Sequence, residues 1–111
     1  MAYDRGLLER CLDALDRLGA GPIRHRNVFG MRGLLRGDRM FAAVGEEEII
    51  VRLSPADFEV AMNDARLRPF TPGGERLGTW IELDAEQVAD DPELCDWLGA
   101  GLRSLAGSQR A

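Results

Sequence analysis

The side chains able to do chemistry in this chain are few and scattered. His25 is the only histidine, and its neighbours are Arg24 and Arg26. A general base needs a nucleophile or a substrate proton within hydrogen-bond reach. Two guanidinium groups offer neither, so His25 reads as a structural or surface histidine. Cys11 and Cys95 lie far apart, each among apolar positions of a helical pattern. One histidine and two separated cysteines do not make a zinc set. The cysteines read as small buried hydrophobes in a reducing compartment, and a disulfide between them requires that the first and last helices touch. The acids Asp84, Glu86, Asp90, Asp91, Glu93 and Asp96 lack the spacing of a calcium loop. Asp84 and Asp91 suit helix caps, and Glu93 suits a first helical turn. Gly30-Met31-Arg32-Gly33 does not match a dinucleotide fingerprint, and no βαβ unit surrounds it. No catalytic residue, metal or cofactor is expected.

What remains is arginine. Arg17, Arg24, Arg26, Arg32, Arg36 and Arg39 fall within 23 residues, opposed only by Asp38. Residues 1–45 carry 8 Arg and 5 acids (+3), and residues 46–111 carry 6 Arg and 14 acids (−8), which together give the net charge of −5. An acidic total argues against a dedicated nucleic-acid binder, whose domain is usually basic. All 14 basic residues are arginine, which a GC-rich genome explains without any binding requirement.

The elements that must position these arginines follow from periodicity. Residues 28–53 alternate short apolar runs with glycines and charges, as strands joined by tight turns do. Strands are expected at 23–29, 32–36, 39–45 and 48–53. In the first, Ile23, His25, Asn27 and Phe29 point one way, and Arg24, Arg26 and Val28 the other. Before them, Leu7, Leu8, Cys11, Leu12, Leu15 and Leu18 form one apolar stripe of a helix over 4–18, with Asp4 as N-cap. Ser54-Pro55-Ala56-Asp57 opens a second helix, to about Ala65. A loop follows over 67–76, then a strand over 78–83, a helical turn over 84–88 and a last helix over 92–106. Gly99 and Gly101 each cost that helix about 1 kcal/mol against alanine. The tail, 107–111, is expected to fray.

The order α-β-β-β-β-α-β-α has too few helices to cover both faces of a sheet. The expected fold is α+β: a two-layer sandwich with a mainly antiparallel five-stranded sheet and helices on one face. A length of 111 residues fits one domain, 1–111. No run approaches the ~20 apolar residues of a membrane span, and the N-terminus is no signal peptide, so a cytoplasmic location is expected.

Several pieces stand together in order. They are Phe29-Gly30-Met31-Arg32-Gly33-Leu34 with Gly37-Asp38-Arg39-Met40-Phe41-Ala42, then Arg68-Pro69-Phe70, then Trp80-Ile81-Glu82-Leu83, and finally Asp91-Pro92-Glu93-Leu94 with Trp97. In this the chain resembles the TfoX/Sxy N-terminal domain family of bacteria, from Leu7 to Leu105. The usual tyrosine-proline pair of the late strand is replaced here by Trp80-Ile81-Glu82-Leu83-Asp84. The resemblance implies a two-layer α/β fold with an antiparallel sheet. It also implies a link to regulation, since full-length members act as coactivators of competence genes beside a cyclic-AMP receptor protein. Those members carry a second, C-terminal helical domain, and a stand-alone N-terminal domain is expected here. The resemblance supplies no catalytic residues.

The functional expectation is a non-catalytic, regulatory protein-interaction module, a homodimer or a partner of a transcription regulator of the cyclic-AMP receptor type. Its interaction surface is expected on the open sheet face, bordered by Arg24, Arg26, Arg32, Leu34 and Arg36, where arginines would rim apolar side chains. Phe41 or Ile50 would lie on the same face. The alternatives are a small-molecule-binding domain or small enzyme, and direct nucleic-acid binding through the arginines.

Overall fold

The computed structural model describes residues 3–108, with side chains through residue 106. Helix α1 (Arg5–Arg17) starts where expected, its N-cap Asp4 accepting a hydrogen bond from the Leu7 N–H at 3.1 Å. Its buried stripe is Leu7, Leu8, Cys11, Ala14 and Leu15. Leu12 is only partly buried and Leu18 lies 42% exposed past the helix end. Four strands follow by tight turns: β1 (Arg24–Val28), β2 (Met31–Arg36), β3 (Arg39–Val44) and β4 (Glu48–Arg52). Helix α2 (Pro55–Ala61) is capped by Ser54, whose Oγ accepts from the Asp57 N–H at 3.1 Å. It stops short of the expected Ala65. The Asp64 side chain there bonds the Arg66 N–H and guanidinium, a local competitor to helical hydrogen bonding.

The sheet has six strands rather than five, all antiparallel, in the order β1-β2-β3-β4-β6-β5. The extra strand, β5 (Arg68–Pro69), lies inside the segment expected to be a loop and pairs with β6 (Trp80–Asp84) at the sheet edge. Two residues, one of them proline, carry no alternation to detect. Its register is fastened by Arg68, which donates to Glu82 at 3.1 Å and to Asp84 at 2.8 Å. A 3-10 turn (Ala85–Val88) leads to the last helix, α3 (Asp91–Ser108). Residues 109–111 of the expected frayed tail lie outside the described residues.

Both long helices cover one sheet face, packed against each other, as their apolar stripes require. Between them and the sheet lies the main core, which includes Leu15, Leu34, Phe41, Val51, Ile81, Leu94 and Leu98. Gly101 brings α3 close to the strands: a Cβ there would meet the Phe41 carbonyl oxygen at 3.0 Å. The α1–α3 seam is tied at its rim by Arg10, which donates to the carbonyls of Val88 and Ala89 and to Asp91 at 2.9–3.1 Å. Asp91, expected as a cap, is instead the first residue of α3 and the carboxylate partner of Arg10.

The other face is not bare. Met31, Ala43 and Ile50 form a second small core there, over which Phe70 and Trp80 pack. The loop after β5 and the start of β6 therefore do part of the covering that helices do on the first face.

Candidate interaction surface

The arginine-rich residues are held by the β1–β2 hairpin, in which Arg24 pairs with Leu35, His25 with Leu34, Arg26 with Gly33, Asn27 with Arg32 and Val28 with Met31. Cross-strand partners share a face. Gly33 pairs onward with Ala43, and Ala43 belongs to the second core. Arg24 and Arg26 therefore project on the helix-free face, as expected, and Ile50 does too.

The expected patch does not form one surface. Leu34 faces the helices and is fully buried in the main core, and Phe41 lies there with it. The physical reason is twofold. Leu34 and Leu35 are adjacent and both buried, so alternation alone could assign either to either face. The register also shifts: Leu34 pairs with Ala42 but Leu35 with Met40, leaving Phe41 as the extra residue of a β-bulge. Arg32 belongs to the Leu34 side, two residues away on the same strand. Its guanidinium lies over the Tyr3 ring, 5.7 Å from the centroid. From there it donates through Nε to His25 Nδ1 at 2.8 Å and through Nη1 to Asn27 Oδ1 at 2.9 Å. His25 is thus a structural acceptor on the hairpin. Arg24 reaches Asp38 at 3.4 Å across the next turn, and Arg36 is exposed beside that turn.

The residue that sequence reasoning misplaced is Phe29. It sits in the turn between β1 and β2 rather than in the strand, with φ 55° and with Gly30 at φ 77°. Positive φ at both central residues of a two-residue hairpin is a type I′ turn, which favours Asn-Gly or Gly-Gly. Phenylalanine in left-handed backbone costs roughly 1–2 kcal/mol. Its ring nevertheless stands 81% exposed, the most exposed large hydrophobic residue among those described. Gly30 following an aromatic was the available signal, since glycine at the second central position marks such a turn.

Cys11 is buried and Cys95 partly so, and both are free thiols. Burial pushes the Cys11 thiol up to about 12, against a small opposing pull from Arg10. No group of three or more His, Cys, Asp or Glu among the described residues is placed to hold a metal ion. Asp84 is bound to Arg68, which holds its carboxyl below the usual carboxylate range. No helix among the described residues is long and apolar enough to cross a membrane.

These features define an α+β domain with helices on one face of an open antiparallel sheet, and a basic hairpin at one sheet edge. The chain belongs to the TfoX N-terminal domain family, whose sequence profile matches residues 13–105. No curated protein and no solved structure matches it.

Proposed function

We propose that this chain is a non-catalytic, regulatory protein-interaction module that contacts its partner through the β1–β2 hairpin. The observation that carries this reading is Phe29, an exposed aromatic ring held in a backbone conformation that favours other residues. Strained residues persist where the surroundings over-determine them, and they concentrate at functional sites. Little of the Phe29 ring is buried, so the ring gives little back to folding. Aromatic and arginine side chains are also the residues that anchor protein interfaces, and Arg26 projects two strand positions before the turn. The regulatory setting is what the resemblance to the TfoX/Sxy family implies, and it makes a transcription regulator of the cyclic-AMP receptor type the partner to test first.

The experiment uses Phe29→Asn. Asparagine suits the turn, so this variant should fold at least as stably as the parent, by about 1 kcal/mol. Affinity capture from the native cell should then show partners held by the parent and lost by the variant. Equal capture by both would refute the reading. A variant that melts earlier than the parent would assign Phe29 a folding role instead.

A further inference from the structure

A sheet can add a strand only at an edge, and the two edges of this sheet differ. The β5 edge is two residues long and ends in Pro69, which has no N–H to donate. The β1 edge is five residues long, and four of the five are exposed. We propose that the β1 edge accepts an extended segment of a partner protein in which acidic residues occupy every second position. This inference rests on the reading of the chain as an interaction module and names the chemistry of its partner.

The backbone geometry comes first. A two-residue turn makes Val28 and Met31 the closing pair of the hairpin. Hydrogen bonding to a neighbouring antiparallel strand alternates along the chain. Arg24, Arg26 and Val28 therefore direct their backbone groups at β2, while His25 and Asn27 direct theirs outward. Among the described residues, no backbone group beyond β2 pairs with His25 or Asn27. The Arg32 guanidinium grips both of these side chains at 2.8 and 2.9 Å. The edge is thus held extended before any partner arrives, which lowers the ordering cost of binding.

Charge then selects the partner. Arg24 and Arg26 stand on one face, two residues apart, so an incoming strand meets both with acids at alternate positions; the acid opposite Arg24 takes the place of its long, exposed contact with Asp38 at 3.4 Å. A second copy of this chain is a poor occupant, because full-overlap antiparallel pairing of two β1 strands sets arginine against arginine, which is destabilising. Phe29, just past the end of the strand, offers apolar contact to a residue beyond Val28. Main-chain bonds at an edge with side-chain pockets for specificity are the general mode of strand addition.

The test uses two peptides of equal length, alternating Glu-Val and alternating Lys-Val, titrated by fluorescence anisotropy at low salt. A duplex DNA of random sequence forms a third arm. Exposed arginine–carboxylate pairs are individually weak, and two of them together correspond to about a tenfold preference for the Glu-Val peptide. Amide exchange read by NMR should slow at His25 and Asn27 when that peptide binds. Arg24→Glu with Arg26→Glu should abolish the preference. Asn27→Pro removes an outward N–H and should abolish binding. If the proline variant does not fold, the charge-reversed variant carries the test, since it leaves the backbone intact. Equal affinity for both peptides, or unchanged exchange at His25 and Asn27, would overturn the proposal. Tighter binding of DNA with those amides unprotected would also overturn it and leave a polyanion patch. If Phe29→Asn loses the captured partners while charge reversal at Arg24 and Arg26 keeps them, the edge proposal fails and the module stands. If neither variant changes capture, both fail.

Discussion

The two glycines of α3 make a controlled experiment, because one substitution at positions two residues apart should act in opposite directions. Replacing glycine by alanine in a helix interior gains roughly 0.8–1 kcal/mol of propensity. That gain is common to Gly99 and Gly101, so the difference between the two variants isolates packing. At Gly99 an added Cβ finds only the end of the Arg103 side chain, at 4.0 Å. Gly99→Ala should therefore stabilise the domain by about 1 kcal/mol. At Gly101 the Cβ would lie 3.0 Å from the Phe41 carbonyl oxygen, 3.1 Å from its ring and 3.2 Å from Val51 Cγ1. Two of those atoms belong to fully buried side chains and the third is strand backbone, so relief requires moving α3 off the sheet. Overpacking of this kind costs roughly 1–3 kcal/mol, and the net effect of Gly101→Ala is a loss of about 0–2 kcal/mol. Urea denaturation of both variants and the parent, with equal m-values as the check on two-state unfolding, measures the difference directly. The expected gap between the variants is about 1–3 kcal/mol. Equal stabilisation by both substitutions would refute the claim that Gly101 sets the helix-to-sheet distance.

Three further outcomes follow from the same core and its rim. Leu34→Ala should cost about 2–5 kcal/mol in chemical denaturation, the price of a cavity under the helices; a surface-like change below about 0.5 kcal/mol would contradict its burial. In native protein, a thiol reagent should modify Cys95 well before Cys11, whose burial keeps it protonated up to about 12, and labelling at equal rates, followed by mass spectrometry, would show that the α1–α3 seam opens. Acid should weaken the fold in a defined window. Asp84 is held down by Arg68, and Asp64 is held down by Arg66 from 3.8 to about 2. A depressed folded-state value means the unfolded chain takes up the proton first as pH falls. Both contributions are complete above the ordinary carboxylate range; that of Asp64 is lost as pH drops towards 2, and that of Asp84 as pH falls through its own lowered value. Thermal midpoints of the parent and of Asp84→Asn should therefore converge at the acid end of that window; parallel curves would rule out the Arg68–Asp84 contact.

Much of the fold was legible because it rests on local signals. Asp4 and Ser54 cap their helices with the bonds their positions require. Gly37, at φ 65°, turns β2 into β3 where the sequence shows Gly-Asp between apolar pairs. What was not legible depends on contacts remote in sequence. A two-residue strand such as β5 exists only because β6 and Arg68 fix it. The face of Leu34 is decided by a bulge at Phe41 and by a second core whose cover, Phe70 and Trp80, comes from far down the chain. The arginine group was visible as composition. Its division into Arg24 and Arg26 on one face and Arg32 on the other follows from strand register, and the clamp of Arg32 on His25 and Asn27 follows from side-chain reach across two strands.

The asymmetry of the sheet edges has a consequence for stoichiometry. A sheet with two open edges can grow without limit, each added strand exposing the next template. Here the proline-bearing edge ends growth on one side, and the arginine-bearing edge opposes a second copy on the other. If a segment adds at β1 as proposed, the edge left open on that side is the segment's own outer one, so further growth depends on the partner's sequence and not on this domain. On the proposed reading, one domain takes one segment, and neither of its own edges templates a run of further copies.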